Sequence, residues 1–502
     1  MNSLFLIVLW PALSALAILL CKGAKQVRTA SLVASAIQLG LTLYIAFEYY
    51  TLRRAGDHSP FMMQSNLNWF PQFGISLHMG IDGISLAMLL LTSVVVLCGV
   101  LVSWNISYLT KEFYFLLILL SMGAYGFFIS LDLFTLFFFL ELAVIPKFML
   151  IGIWGSGRKE YAAMKLALML MGGSALILIG LLGVYFNSHT SGGLPTFDLL
   201  KLSVVHIPRN AQHILFPFLF LGFGVFTAIF PFHTWAPDGH SSAPTAASMF
   251  LAGISMKLGG YGCIRVACLL MPEAAQYYGP AIIVLACIAI LYGAFATMMQ
   301  KDLKYINAYS SVSHCGFVLL GIAMFTQTAL IGAVMQMVSH GLMTALFFAV
   351  IGMLYERTHT RMTADMSGLL KIMPFLGTVF IIAGLCSLGL PGLSGFVSEM
   401  TIFMGSWQRP DAFHRIATIL ACASIVVTAV YILRAAGKVL MGPISNEHFR
   451  SLKDAAWNEK LASVILILSI VLIGVAPFLL SGLIRPGAFE IMKTIANATV
   501  LN

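Results

Sequence analysis

The sequence predicts an all-α polytopic membrane protein with about fourteen transmembrane helices. Of its 502 residues, 60% are hydrophobic and only 9% are charged, whereas about one quarter of a soluble domain is charged. Apolar stretches of about 20 residues, long enough to cross a bilayer as a helix, recur along the chain. Strand periodicity is absent, which argues against a barrel. The spans are predicted at 3–21, 30–50, 82–104, 113–130, 132–155, 162–187, 212–234, 243–270, 279–298, 306–326, 328–354, 372–406, 415–437 and 460–482.

Loop charge gives the chain an orientation. Lys and Arg are more frequent in the loops after spans 1, 5, 9, 11 and 13 than in the other loops. The positive-inside rule therefore predicts a multi-pass protein of the bacterial inner (cytoplasmic) membrane with both termini in the periplasm. The formal net charge of +9 is spread over these loops rather than gathered on one face, which argues against nucleic-acid binding. The first apolar run has no small-residue cleavage site, so we expect a span and not a signal peptide.

Two predicted spans contain helix breakers. Pro217 and Pro231 interrupt span 7, and Gly389, Pro391 and Gly392 lie in the middle of span 12. Proline removes a helix hydrogen bond and clashes with the preceding turn. Broken spans at corresponding positions of two halves are typical of transporters built from inverted repeats. Spans 4–8 and 9–13 are therefore predicted to be two inverted five-helix repeats with one broken helix each.

This repeat hypothesis divides the chain into four parts. The N-terminal helices occupy 1–112, the first repeat 113–270, the second repeat 271–440, and a C-terminal loop and helix 441–502.

The sequence offers no sign of bond-making chemistry. None of the eight cysteines forms a CxxC pair, and they lie in or beside apolar segments, which is typical of buried structural cysteines. It contains no Gly-rich phosphate loop, nucleophile triad or metal-ligand cluster. Four titratable residues nevertheless lie inside apolar spans: Glu141, Lys147, Lys257 and Glu399. Each such charge costs about 2.5–3.5 kcal/mol on insertion scales, so it usually marks an ion path, a proton relay or a buried pair. The predicted function is vectorial movement of charge.

Seven segments carry a resemblance to a known family. They are GIDGISLAMLLLT (80–92), FFFLELAVIPKF (137–148), FHTWAPDGHSSAP (232–244), LAGISMKLGGYG (251–262), KDLKYINAYSSVSHCGF (301–317), LYERTHTR (354–361) and LGLPGLSGFVSE (388–399). Together they resemble the antiporter-like M subunits of respiratory complex I, whose mitochondrial form is NADH dehydrogenase subunit 4. The resemblance covers nearly the whole chain.

The resemblance implies a fourteen-helix proton-channel subunit of NADH:quinone oxidoreductase with no cofactor of its own. FMN, iron–sulfur clusters and quinone are expected in partner subunits of the hetero-oligomer. L-, N- and K-type membrane subunits and lipids are the expected neighbours. By motif, the proton relay would comprise Glu141, Lys257, His314, His340 and Glu399.

One position departs from the family pattern. The family carries a lysine in span 7 that pairs with the span-5 glutamate, and Phe226 occupies that position here. This chain has Lys147 in span 5 instead, six residues after Glu141 and beyond Pro146. On a straight helix it would lie about 9 Å higher and about 120° around from Glu141. Our hypothesis is that Lys147 points toward Phe226 and serves as the switching cation for Glu141. The alternative is that it snorkels to the cytoplasmic surface.

Other polar residues leave two interpretations open. Three polar residues lie at the span-7 break: His233, Asp238 and His240. They either form a proton-uptake funnel or cap the broken helix. Lys438, at the end of span 13, is a candidate for a proton exit or uptake path. Lys301, Asp302 and Lys304 are interpreted as a solvated, topology-setting loop face. Arg158 and Lys165 are either proton-uptake residues or positive-inside charges, and the second interpretation is favoured.

Three alternative functions remain. Mrp-type cation/proton antiporters and membrane-bound hydrogenases contain related subunits, so the partner set would discriminate between them. A non-pumping structural subunit is supported by Phe226 alone. An independent solute carrier is disfavoured because the matching motifs belong to multi-subunit machines. Neither the choice of H⁺ over Na⁺ nor the electron donor follows from the sequence.

Overall fold

The computed structural model describes residues 3–188, 195–205, 207–444 and 446–500, and it is almost entirely helical. The α-helices are α1 (Ser3–Leu20), α2 (Ala24–Arg54), α3 (Gly83–Val102), α4 (Thr110–Ile129), α5 (Leu133–Leu142), α6 (Val144–Trp154), α7 (Lys159–Phe186), α8 (Leu199–Leu202), α9 (Arg209–Phe226), α10 (Trp235–Ser242), α11 (Thr245–Phe250), α12 (Met256–Gly262), α13 (Pro272–Met299), α14 (Leu303–Ala323), α15 (Gln327–Thr358), α16 (Leu369–Ile372), α17 (Pro374–Ser387), α18 (Ser394–Trp407), α19 (Ala412–Leu440), α20 (Trp457–Val475) and α21 (Pro477–Val500).

The predicted polytopic all-α architecture is confirmed. Among the described residues, eleven helical segments are long and apolar enough to cross a membrane, and they coincide with eleven of the fourteen predicted spans. The other three predicted spans are each divided into shorter helices. Span 7 corresponds to α9 and α10, span 8 to α11 and α12, and span 12 to α17 and α18. The division into two repeats stays a prediction.

Two elements were not predicted. Strands β1 (Met62–Phe70) and β2 (Ile75–Ile81) form an antiparallel hairpin between α2 and α3, so the inference that strand periodicity is absent was wrong for this segment. Its second strand alternates apolar and polar residues, which is the usual strand signal. The last predicted span runs across Ala476, where the structure has a break, and the additional α21 packs against α3, α13 and α15.

Both predicted helix breaks are present. Span 7 is interrupted between Phe226 and Trp235, and span 12 between Ser387 and Ser394. Gly389 and Gly392 in the second break have φ of +76° and +91°, a backbone conformation that costs glycine little and other residues more. A broken helix leaves backbone groups without partners inside the bundle, where they can hold water or polar side chains.

Helices α14 and α15 form the centre of the bundle. Nearly every residue of both helices is buried. They pack against each other, and α10, α12, α13, α17, α18 and α20 surround them. Helices α2 and α19, by contrast, expose much of their apolar surface. The broken helices and the central pair therefore meet in the interior, and the polar site is built there.

Candidate functional site

Lys257 lies on α12, between two segments whose turns are wider than those of an α-helix. These π-turns cover Leu251–Ser255 and Cys263–Cys268, and such turns often occur at functional sites. The Lys257 ammonium donates to the carbonyl of Ala252, in the preceding π-turn. It also lies 2.7 Å from Nδ1 of His340 on α15. Its side chain is buried, so the π-turn carbonyl and the imidazole replace the hydration that the ammonium has lost.

His340 continues from Lys257 toward α14 and α18. Its ring centre lies 5.3 Å from that of His314. Nδ1 of His314 lies 3.3 Å from Oε1 of Glu399. All four side chains are buried. The structure therefore brings together Lys257, His340, His314 and Glu399 as a continuous buried series, hereafter the central relay.

Two further side chains orient His314. The Gln336 amide nitrogen lies 3.2 Å from His314 Nδ1, and Ser387 Oγ lies 3.1 Å from Nε2. Ser398 donates to the Gln336 carbonyl oxygen, which fixes the amide with its NH₂ toward the imidazole. Nδ1 can accept from Gln336 only when unprotonated, and it can donate to Glu399 only when protonated. The proton on Nδ1 therefore decides which partner His314 has.

Glu141 and Lys147 lie on either side of a helix interruption. Helix α5 ends at Leu142, one residue past Glu141, and α6 begins at Val144. The Lys147 side chain is fully buried, and its Nζ lies 5.9 Å from the centre of the Phe226 ring. Among the described residues, neither Nζ nor Glu141 Oε1 has a hydrogen-bond partner. Lys147 thus points toward Phe226 rather than to the surface, and the two charges are not joined in a direct ion pair.

The residues at the first helix break do not cap it. Asp238 forms an ion pair of 2.7 Å with Lys165 on α7 and accepts a hydrogen bond of 3.0 Å from Tyr305. The N-cap residue of α10 is Thr234, which makes no side-chain cap. His240 is fully buried between aromatic rings, and its ring nitrogens have no partner among the described residues.

His233 also packs among aromatic rings, stacked against Phe230 with ring centres 5.5 Å apart. Its two ring nitrogens are buried and have no hydrogen-bond partner within the part of the chain that the structure describes. Asp238 is therefore held by an ion pair and a hydrogen bond, whereas His233 and His240 are buried among aromatic rings.

Two lysines interpreted as loop charges have defined partners. Lys165 is engaged by Asp238. Lys304 is buried and donates 2.7 Å to the carbonyl of Ala243, while Asp302 caps α14 and pairs with Arg361. The interpretation as a solvated charge was wrong for Lys304, because α10 packs against this end of α14. Lys165 is partly exposed, and its interpretation as a positive-inside charge stays a prediction.

Several buried ion pairs escaped sequence analysis altogether. Arg265 pairs with Asp82, the N-cap residue of α3. Arg357 pairs with Glu459 through two nitrogens, at 3.0 and 2.6 Å. The GIDG segment containing Asp82 was the only signal, since partners 183 residues apart cannot be paired from one sequence.

A buried series of ionisable side chains in a bundle with two broken helices defines an antiporter-like membrane subunit. Residues 130–428 match the NADH:quinone oxidoreductase/Mrp antiporter transmembrane family. The chain is 39% identical over 415 residues to NAD(P)H-quinone oxidoreductase chain 4-2 of Synechocystis sp., covering 82% of this chain and 73% of that one. It therefore belongs to this family, as an M-type (chain 4) antiporter-like subunit.

Solved structures agree with this assignment. A chain of respiratory complex I from Thermus thermophilus superimposes with a TM-score of 0.88 at 27% identity, covering 98% of this chain and 99% of that one. A chain of the Mrp complex from Dietzia sp. has a TM-score of 0.84 at 18% identity, covering 99% and 100%. The second likeness shows the fold alone.

Proposed function

We propose that this chain moves protons across the membrane as the M-type subunit of an NAD(P)H:quinone oxidoreductase, through Glu141, Lys147, Lys257, His340, His314 and Glu399. The observation that carries the proposal is the central relay, in which a buried ammonium, two imidazoles and a carboxylate follow one another across α12, α15, α14 and α18. Four titratable groups placed so deep in a bundle are costly, and a transport path is the usual reason for keeping them.

Each contact of the central relay suits one proton step. Lys257 can give a proton to His340 Nδ1 across 2.7 Å. The imidazoles can pass it on, because neutral histidine both donates and accepts. His314 releases its Nδ1 proton to Glu399 and then accepts from Gln336 instead. Moving one charge against 100 mV costs about 2.3 kcal/mol, an energy comparable to what a buried group gains when its charge partner approaches.

Lys147 would set the charge of Glu141 at the other end of the path. Its ammonium is desolvated and rests on the Phe226 ring without an ion-pair partner among the described residues. A flexible lysine stem can carry it from this ring to the carboxylate and back. Compared with the family pattern, this chain would carry the lysine on α6 instead of α9, with its charge still beside α9.

The surroundings of the subunit follow from the same proposal. The relative from Synechocystis is named as a chain of NAD(P)H-quinone oxidoreductase, and L-, N- and K-type membrane subunits would be the neighbours here. FMN, iron–sulfur clusters and quinone would be bound by partner subunits. Both termini would lie in the periplasm of a bacterial inner membrane.

The test is proton transport by inverted membrane vesicles that contain the assembled complex. Glu399→Gln should lower the ratio of acidification to NADH oxidised, because glutamine cannot take up the proton of His314. Glu447→Gln is the matched control, since Glu447 lies in an exposed loop. An unchanged ratio in Glu399→Gln would refute the proposed path. Dependence of the ratio on Na⁺ would favour the Mrp-type alternative.

A further inference from the structure

A cavity lies at the end of α13, the start of α14 and the last turns of α19. Its volume is about 190 Å³. Lys301, Arg434 and Lys438 line it, and all three lie on the side where positive loops predict the cytoplasm. Ile306 and Tyr431 form part of its wall. No carboxylate is among its lining residues.

Tyr431 connects this cavity with the interior. The residue is 1% exposed, and its hydroxyl has no hydrogen-bond partner among the described residues. The hydroxyl groups of Thr428, Ser387 and Ser310 lie near this side chain. A buried hydroxyl without a protein partner needs a water molecule, and a cavity that reaches the same side chain can supply one.

Ser387 leads from Tyr431 to the central relay. Its Oγ lies 3.1 Å from Nε2 of His314, whose Nδ1 faces Glu399. The register of α14 gives the depth of this route. Ile306 on the cavity wall and His314 are eight residues apart on one helix, a rise of about 12 Å, with Ser310 midway.

We propose that the Tyr431 cavity is a proton passage between the positive-loop side and the Glu399 end of the relay, with Tyr431 as the hydroxyl that carries the proton across the wall. The passage rests on the proposed function and adds to it a connection that the relay itself lacks. A water molecule in the cavity gives a proton to Tyr431 Oη, which releases its own proton through water to Ser387 Oγ. Ser387 passes its proton to His314 Nε2, and His314 gives its Nδ1 proton to Glu399. One proton enters and one leaves at every group. At His314 the proton enters at Nε2 and leaves from Nδ1, so the ring must return to its first tautomer before the next transfer.

The composition of the passage also bears on which ion can use it. Three cationic side chains line the cavity, and their charge opposes Na⁺ and an excess proton alike. The two ions differ in how they move, because Na⁺ cannot travel by exchange of hydrogen bonds. A sodium ion would also need a shell of oxygen ligands, preferably including a carboxylate, which the cavity lining does not offer. A proton needs only a chain of hydroxyl groups and water. The passage is therefore expected to be selective for protons.

The first test removes one oxygen atom. Tyr431→Phe should lower the ratio of acidification to NADH oxidised about tenfold or more, the range that a positioned proton carrier commonly supplies. Tyr125→Phe is the matched control, because Tyr125 on α4 is equally buried and its hydroxyl also lacks a hydrogen-bond partner among the described residues. If Glu399→Gln abolishes acidification and Tyr431→Phe leaves it unchanged, the passage is refuted while the proposed function stands. If neither variant has an effect, the proposed function itself fails.

A second test measures access without relying on transport. Tyr431→Cys should react with N-ethylmaleimide added from the positive-loop side at least tenfold faster than Tyr125→Cys, as quantified by mass spectrometry of the labelled peptides. Equal rates in the two variants would show that water does not reach Tyr431 and would overturn the proposal. This readout also holds if Tyr431→Phe assembles poorly.

Discussion

Returning the missing lysine to α9 is the most informative perturbation of the Glu141 end. Lys147→Met removes the ammonium and keeps the length of the side chain. The double variant Lys147→Met/Phe226→Lys places an ammonium on the neighbouring helix, next to where the Lys147 Nζ lies now, 5.9 Å from the Phe226 ring centre. If Lys147 is the switching cation, the single variant should lose transport and the double variant should recover it.

The magnitude follows from the separation of the charges. The ammonium and carboxylate form no direct ion pair among the described residues. Two unit charges about 6–9 Å apart at an effective dielectric constant of about 20 attract each other by about 2–3 kcal/mol. Loss of this interaction should lower the rate of the step that depends on the pair about 30- to 160-fold. The contact with the Phe226 ring stabilises the ammonium in its present position by about 0.5–2 kcal/mol. Phe226→Lys removes this ring from the double variant. Recovery should therefore be partial.

The assay is the ratio of acidification to NADH oxidised in inverted vesicles. Lys304→Met is the matched control, because Lys304 is also buried but donates to the carbonyl of Ala243, outside the central relay. A normal ratio in Lys147→Met would refute the reasoning, since the lysine would then be a bystander. Loss in the single variant without any recovery in the double variant would show that the position on α6, and not the charge alone, is required.

Two further outcomes are expected. Gly389→Ala should lower transport and destabilise the second helix break by about 1–2 kcal/mol, because φ is +76° there and the added methyl group would lie 2.9 Å from Oε2 of Glu399; unchanged transport with unchanged thermal unfolding would contradict this. Burial alone would raise the pKa of Asp198, but the hydrogen bond and charge of His78 lower it. The stabilisation is therefore complete above about pH 4 and is lost as the pH falls through the lower native pKa. Thermal unfolding of the purified complex should show this loss, and Asp198→Asn should remove that part of the pH dependence.

The sequence was sufficient for the features that depend on local composition. Apolar length predicted the spans, and the glycines and prolines near 389–392 predicted a break that the backbone angles explain. The relay residues were found because charges are rare in apolar segments and their motifs resemble a known family. Their order in space, Lys257 to His340 to His314 to Glu399, depends on which helices pack together and could not be read from one chain.

Long-range pairing explains the features that were missed. The ion pair of Lys165 with Asp238 joins residues 73 positions apart, so Lys165 looked like a loop charge and Asp238 like part of a funnel or a cap. Tyr431 gave no sequence signal, since a tyrosine in an apolar helix usually packs or anchors at the interface. Its importance depends on the cavity on one side and on Ser387 on the other.

The fixed amide of Gln336 has a consequence for energy conservation. When His314 has delivered its Nδ1 proton, the described residues hold two groups toward that nitrogen: the Glu399 carboxylate and the Gln336 NH₂, which Ser398 keeps from rotating. An emptied imidazole is thus secured in its unloaded form until a new proton arrives from the relay side. If protons leaked back through the relay, the proton gradient would be dissipated without NADH oxidation. The hydrogen bond from Gln336 to His314 lies where it can hinder this leak.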